Sequence, residues 1–400
     1  MKKIICFILV FCAVFALVSI TGVTAFAQGE NTLNKNQDSK FGKYNSRSAF
    51  LVDYNTGNVL YERNADAKYP IASMVKIMTL NLVFEEINNG NLSLDEKIVI
   101  SDNASGMGGS QMFLASGLEY TVSDLIKGIT VVSANDASVA LAEKISGNVD
   151  EFISLMNAKA KQLGMNDTMF VNVTGLPQEG QYSTARDVTK MMSNLIKNPK
   201  YFDFSTIFLE KYTHPDGRIT ELTNTNKLIR FYKGCDGGKT GFTNDAMFCL
   251  SATAKRDNTR VIATVMGAEN SKIRNKEVGD LFNYAFANYK TVKILEKNCP
   301  IPTDIQIKNS KLEKINVAVD DDVYILAKKN EKGEYSTKVE LLDNLKAPIK
   351  KGEKIGTIIV LNNKTNEIVK RVNLVTLEEI NSKSYLDSLE KIMENWFLGV

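Results

Sequence analysis

Pro70-Ile71-Ala72-Ser73-Met74-Val75-Lys76-Ile77-Met78-Thr79 is the stretch on which the reading of this chain turns. From Ala72 onward Met74, Val75, Ile77, Met78, Leu80, Leu82, Val83, Phe84 and Ile87 are apolar almost all the way round a helical projection. That pattern predicts a buried helix rather than an amphipathic one, and Asn88-Asn89-Gly90-Asn91 stops it. Ser73 and Lys76, three apart, share a helical face. A lysine is hard to place on the surface of so apolar a helix. Buried, its charged form is disfavoured and its pKa falls, so it could accept the proton of a serine nucleophile. The helix start adds positive potential where an oxyanion would form. Taken alone, the pair also describes a helix-start serine and a surface lysine.

Upstream, Ala49–Asp53 and Val59–Glu62 flank Asn55-Thr56-Gly57 and read as a hairpin. Residues 28–46 are polar and read as a tether. Lys2 and Lys3 precede an apolar run from Ile4 to Ile20, followed by Ala25-Phe26-Ala27. This predicts an export signal over residues 1–27, cleaved before Gln28. A retained N-terminal anchor is the alternative, since the run approaches the length of a membrane span. Both place the folded part outside the cytoplasm.

Downstream, Thr121-Val122-Ser123-Asp124 resembles a capping box, opening two helical pieces that run to Glu143 around a break at Ser133-Ala134-Asn135. Ala246–Ala254 and Arg260–Gly267 are strand-like about a turn at Arg256-Asp257-Asn258, and Asn275–Tyr289 carries a helical stripe. Strands, helices, strands and a helix make residues 47–290 an α+β domain with an antiparallel sheet. Residues 291–377 change to short alternating runs, among them Val317–Val319, Val323–Ala327, Lys354–Leu361 and Ile368–Val375, which predict a small all-β domain. Over residues 378–400 a helical period returns. Tyr385, Leu386, Leu389, Ile392, Met393, Trp396 and Phe397 form one apolar stripe, an amphipathic helix suited to a membrane surface. Its polar face is net acidic, a poor match to anionic lipid, so packing on the β domain or on a partner chain is the other reading.

Composition excludes some functions. A net charge of +3 with charge of both signs throughout offers no basic face for nucleic acid. His214 is the one histidine, whereas zinc peptidases cluster two or more, so no metal is expected. It falls in the turn-rich Tyr212-Thr-His-Pro-Asp-Gly217, and with no Gly-x-Ser-x-Gly elbow it reads as a surface-loop residue rather than part of a Ser-His-Asp triad. Beyond the leader, Cys235, Cys249 and Cys299 are an odd number. Buried or incidental thiols are expected, with a Cys235–Cys249 disulfide the minor alternative.

Three motifs stand in order: Ser73-Met74-Val75-Lys76, Ser133-Ala134-Asn135 and Lys239-Thr240-Gly241. Together they form the signature of penicillin-binding proteins and class A β-lactamases. Each alone is weak. Ser-x-x-Lys recurs at Ser388–Lys391, and Ser-x-Asn recurs at Ser101-Asp102-Asn103 and Ser146-Gly147-Asn148. Ser101 follows a strand-like run and reads as a turn or helix start. The stretches 70–79, Gly109-Ser-Gln-Met-Phe-Leu114, Val131-Val-Ser-Ala-Asn-Asp-Ala137, Tyr182-Ser-Thr-Ala-Arg-Asp187 and Gly238-Lys-Thr-Gly-Phe-Thr243 resemble, in order, the low-molecular-mass penicillin-binding proteins, serine-type D-alanyl-D-alanine carboxypeptidases. The β domain and terminal helix are similar to that family's C-terminal domain and membrane anchor. Ala134 departs from a common glycine.

The resemblance implies a penicillin-binding, β-lactamase-like fold without a cofactor. It makes Ser73 the acylated nucleophile, Lys76 its base, and Ser133 and Asn135 the groups that relay protons and hold the substrate amide. Lys239 and Thr240 would bind the terminal carboxylate beside Gly241, and the N–H groups of Ser73 and Phe242 would form the oxyanion hole. Peptidoglycan stem peptides, β-lactams and the outer face of the cytoplasmic membrane are the implied partners. A β-lactamase would need a deacylating carboxylate, for which Glu179 is the one loop acid in view. Transpeptidase or endopeptidase activity on the same fold, and an idle wall-binding protein, are the other readings.

Overall fold

The computed structural model describes residues 44–301, 305–312, 314–330 and 333–385, together with 389 and 393. The export signal and nearly all of the tether lie outside the described residues. The tether's last residues are packed: Tyr44 donates to Asp280, and Ser46 Oγ donates to the buried Glu277 carboxylate at 2.8 Å.

Strands β1 (Ser48–Asp53) and β2 (Val59–Arg63) form the expected hairpin. Helix α1 (Lys76–Asn88) follows a single 3-10 turn, Ala72–Val75. Short strands β3 (Lys97–Val99) and β4 (Glu119–Thr121) flank helix α2 (Asp102–Ser105). Then come α3 (Val122–Lys127), a five-residue π turn (Gly128–Val132), α4 (Asn135–Ser146), α5 (Val149–Gln162), α6 (Ala185–Leu195) and α7 (Tyr201–Ser205). Hairpin β5 (Leu209–Thr213) and β6 (Ile219–Thr223) precedes α8 (Leu228–Phe231), β7 (Cys235–Thr243), β8 (Met247–Arg256), β9 (Thr259–Ala268) and α9 (Ser271–Asn288). Asp124 completes the Thr121 capping box in both directions.

The main sheet is antiparallel with strand order β2-β1-β9-β8-β7. Every residue of β1 is buried, so both faces of the sheet are covered. Helices α6 and α9 both pack against β9, and α1 packs on α6. This leaves β7 at the edge beside the 3-10 turn, where the three motifs converge.

A second body follows: β10 (Tyr289–Leu295), β11 (Val317–Val319), β12 (Val323–Lys328), β13 (Tyr335–Leu341), β14 (Lys354–Asn362) and β15 (Ile368–Thr376). It has its own apolar core, including Val317, Val323, Ile355, Ile358 and Leu374. Thr291 joins it to the catalytic sheet, donating its hydroxyl to Asp53 at 2.7 Å and its backbone N–H to Thr259 Oγ1 at 2.8 Å. The helix expected from Glu378 does not begin there. Ile380 is buried and pairs with Ile349, and Ser382 pairs with Ser310, because an apolar residue that fills the β core holds the chain extended. Tyr385, Leu389 and Met393 are helical and exposed; Leu386, Ile392, Trp396 and Phe397 of the expected stripe lie outside the described residues.

Candidate active site

Ser73 sits in the 3-10 turn that feeds α1, directly after Ala72 at φ 46°. A left-handed non-glycine residue costs roughly 1–3 kcal/mol and persists only where its surroundings hold it. Two glycines make that hold possible. A Cβ on Gly175 would lie 2.1 Å from the Ala72 carbonyl oxygen, and one on Gly241 would lie 2.7 Å from that of Ile71. Only bare backbone lets the Thr174 loop and β7 close on the turn from two sides.

Lys76 is fully buried. Its Nζ donates to Ser73 Oγ at 3.1 Å and to the Thr174 carbonyl oxygen. Burial first, and then the charge of Lys239, push its pKa well below the ordinary lysine value, with Asp136 opposing. A lysine so placed is a proton acceptor one hydrogen bond from a serine hydroxyl.

The second motif is presented by broken helix geometry. The π turn unwinds the chain so that Ser133 takes the left-handed conformation, φ 66°, before α4 starts at Asn135. Ser133 Oγ accepts from Lys239 Nζ at 2.7 Å, which joins the second motif to the third. Asn135 donates from Nδ2 to the Gly108 carbonyl at 2.6 Å, while its buried Oδ1 has no protein partner. Ala134 is fully buried, and its methyl lies 3.3 Å from where a Cβ on Gly128 would sit, so the departure from glycine is accommodated.

Lys239, on edge strand β7, is buried and also donates to the Thr240 carbonyl at 3.1 Å. Burial, then the charge of Arg274, push it down to about 7. Arg274 of α9 is itself buried and pushed down to about 10, mainly by desolvation, with its side chain donating only to Asn275 Oδ1 among the described residues. Thr240 is buried, whereas Phe242 is exposed at the cleft rim and packs on Phe248, ring centres 4.3 Å apart and planes tilted by 33°.

Ser73, Lys76, Ser133, Asn135, Lys239, Thr240, Gly241 and Phe242 therefore come from three segments to one cleft. The recurring copies lie elsewhere. Ser101 caps α2, accepting from Ala104 N at 3.0 Å, and Asn148 caps α5. Ser388 is outside the described residues. His214 is a correction: it is buried, not on the surface. Its Nδ1 lies 3.0 Å from Tyr120 Oη and its Nε2 lies 2.8 Å from Thr220 Oγ1, so it braces the β5–β6 hairpin and touches no serine. Cys235 and Cys249 are free and buried, with burial raising their thiols to about 12 and about 11.

Four supporting groups escaped the sequence reading. Thr174 supplies the carbonyl that both Ser73 and Lys76 contact. Gly175 permits the close approach. Arg274 faces Lys239 from α9. Asp136 accepts the N–H groups of Met112 and Leu114, each at 3.1 Å, and so pins the loop that carries Phe113 at φ 63°. The apolar run around Gly109–Leu114 followed by a buried acid after Asn135 was the available signal for the last.

The fold and cleft define a serine-type hydrolase of penicillin-binding architecture. Its family model, D-alanyl-D-alanine carboxypeptidase, matches residues 33–270, and that of the penicillin-binding protein 5 C-terminal domain matches residues 289–382. The chain is 38% identical to D-alanyl-D-alanine carboxypeptidase DacF of Bacillus subtilis over 354 residues, covering 88% of this chain and 90% of that protein. It is 32% identical to DacA of Escherichia coli over 365 residues, covering 88% and 89%. The crystal structure of penicillin binding protein 5 from Haemophilus influenzae superposes with a TM-score of 0.73 at 31% identity, over 85% of this chain and 99% of that one. The chain belongs to the D-alanyl-D-alanine carboxypeptidase family.

Proposed function

We propose that this enzyme removes the terminal D-alanine from peptidoglycan stem pentapeptides through an ester on Ser73. The observation that carries the reading is the convergence of the three motifs: Lys76 bonds Ser73 at 3.1 Å within the first, Lys239 of the third bonds Ser133 of the second at 2.7 Å, and Gly241 of the third packs against the turn that carries Ser73. Ser73 Oγ attacks the carbonyl carbon of the penultimate D-alanine as Lys76 takes its proton. The N–H groups of Ser73 and Phe242 stabilise the oxyanion. The C–N bond then breaks, and the proton that Lys76 took passes through Ser133 to the leaving amine. Lys239 and Thr240 hold the terminal carboxylate beside Gly241, and the unfilled Asn135 Oδ1 accepts a substrate N–H. Water attacks the ester and gives a proton to Lys76, which returns it to Ser73 Oγ as the ester C–O bond breaks and the shortened stem leaves. A β-lactam acylates the same serine.

The leader, read as an export signal, puts this reaction outside the cytoplasm, and the apolar stripe beginning at Tyr385 lies on the outer face of the cytoplasmic membrane. Export and attachment are read from sequence. Among the described residues no helix is long and apolar enough to cross a membrane.

The test is D-alanine release from a model stem peptide. The wild type releases it and Ser73→Ala does not. Release that persists in Ser73→Ala, or rapid penicillin turnover that depends on Glu179, would overturn the reading.

A further inference from the structure

Among the buried groups that the mechanism leaves idle, His214 is placed to reach the cleft. It is the one histidine of the chain and lies just past β5, at the turn into β6. Its Nδ1 faces Tyr120 Oη at 3.0 Å and its Nε2 faces Thr220 Oγ1 at 2.8 Å. The hydrogens along this line have one consistent order. Tyr120 Oη accepts the Ala115 N–H at 3.4 Å and also faces the Arg218 guanidinium. With donors on both of those sides, the buried hydroxyl hydrogen of Tyr120 has only His214 as acceptor among the described residues. Nδ1 therefore accepts, and Nε2 carries the hydrogen that it gives to Thr220. An imidazolium breaks this order, because Nδ1 then carries a hydrogen too and the Tyr120 hydroxyl hydrogen loses its acceptor.

The charges around the ring come from three elements. Burial first, and then the charge of Arg218, push the imidazole below its ordinary value, with Asp216, Asp136 and Asp124 opposing. Asp216 and Arg218, at the tip of the same hairpin, pair with each other at 2.6 Å. Asp124 belongs to α3 and Asp136 to α4. Lys127 of α3 is turned to Glu210 at 2.7 Å and over the ring of Tyr212, which packs edge-on against His214.

Residues 108–115 form the strip between this hairpin and the cleft. On the cleft side Asn135 donates its backbone N–H to the Ser110 carbonyl at 2.7 Å and its Nδ2 to the Gly108 carbonyl at 2.6 Å. Asp136 takes the N–H groups of Met112 and Leu114. On the far side Arg218 holds the Phe113 carbonyl at 3.2 Å, and Tyr120, braced by His214, holds Ala115. The strip that orients Asn135, whose buried Oδ1 is unfilled, is thus steadied from behind by the hairpin.

We infer that His214 is a positioning residue for Asn135: neutral, it locks residues 108–115 through Tyr120 and so fixes the amide that receives the substrate N–H, whereas protonated it releases Tyr120 and the hold on the substrate weakens. The role of Asn135 in this rests on the Ser73 reading.

Glutamine at position 214 accepts with one atom and donates with the other, as neutral imidazole does, but does not titrate. The test compares kcat/KM for D-alanine release from a model stem peptide in the wild type and in His214→Gln, between about pH 7.5 and about pH 5, a span that brackets the ordinary histidine value of about 6.5. Titrations of Lys76 and Lys239 are common to both proteins and cancel in the ratio. The ratio of wild type to variant falls about fivefold toward acid, the usual worth of one hydrogen bond. Its midpoint coincides with the pKa of the single imidazole, read by NMR on the untagged chain. Tyr120→Phe, which cuts the link and keeps His214, follows the profile of His214→Gln. A ratio that is constant with pH overturns the inference, and so does a midpoint that departs from that of the imidazole. Amide hydrogen exchange reads the same coupling in the wild type without a substitution: protection at Met112 and Leu114 falls as His214 takes its proton, and protection that ignores this titration overturns the inference as well. A wild type that releases no D-alanine at any pH defeats the Ser73 reading instead, and the exchange measurement then decides the coupling by itself.

Discussion

The catalytic body and the β domain tolerate opposite things. The first buries Lys76, Lys239, Asp136, Arg274 and Glu277, whereas among the described residues the buried polar side chains after β10 begins are Thr291, Ser310 and Thr376, none charged. The backbones differ in the same way. Left-handed non-glycine residues in the β domain are Asn298, Asn309, Asn344 and Asn366, the residue type that accepts this conformation in turns. In the catalytic body they include Ala72, Phe113 and Ser133, which flank the cleft. At the cleft, left-handed backbone and buried lysines serve a bent approach and a lysine of lowered pKa, while Glu277 pairs with Ser46 and Arg63 instead.

That contrast can be sharpened by removing its parts. Lys76→Ala should lower the acylation rate by about 10²–10⁴-fold, the usual worth of a general base, in a protein whose circular dichroism is unchanged. Near-normal acylation at neutral pH would mean that another group takes the Ser73 proton.

Gly175→Ala tests strain rather than chemistry. Its Cβ has no room against Ala72, and its φ of 82° disfavours any side chain. A loss above roughly 3 kcal/mol in denaturant unfolding is expected, beyond the usual range for a point change. Asn366→Gly in the β domain should stay within about 0.5 kcal/mol, because asparagine already accepts that conformation.

Lys239 gives a pH signature. Its folded pKa, about 7, lies below that of an unfolded lysine. The unfolded state therefore binds more protons between the two values, and stability rises with pH across that window. The burden is full below about pH 7 and is relieved toward about pH 10. Lys239→Met should accordingly raise the melting temperature at pH 6 and lose that advantage by pH 10, while activity falls. An equal gain at both pH values would place the lysine's cost elsewhere.

The smallest effect belongs to Ser101→Ala. Ser101 caps α2 and donates to Glu143 at 2.7 Å, so its loss costs about 1 kcal/mol of stability and leaves acylation intact.

Local pattern carried much of this architecture. The buried α1, the capped α3, the break at Ser133 and the strands β8 and β9 are each written in a few adjacent residues. What stayed hidden depends on partners far along the chain. His214 lies in a turn-rich sequence and is a turn residue, yet its burial is set by Tyr120, 94 positions away. Thr174 acts through its backbone carbonyl, which no side-chain pattern reveals. Arg274 looks like any polar residue of a helix start until α9 is laid on β8. Strand β13 is mostly exposed, with little apolar alternation to mark it. The terminal segment misled because the helical period that begins at Tyr385 was extended back to Glu378, across Ile380, which lies off that stripe and fills the β core.

The most direct measurement is peptide mapping by mass spectrometry after exposure to benzylpenicillin. One persistent penicilloyl group on the peptide containing Ser73, absent from Ser73→Ala, is the expected result. A label on any other serine, or one that remains in Ser73→Ala, would contradict the account.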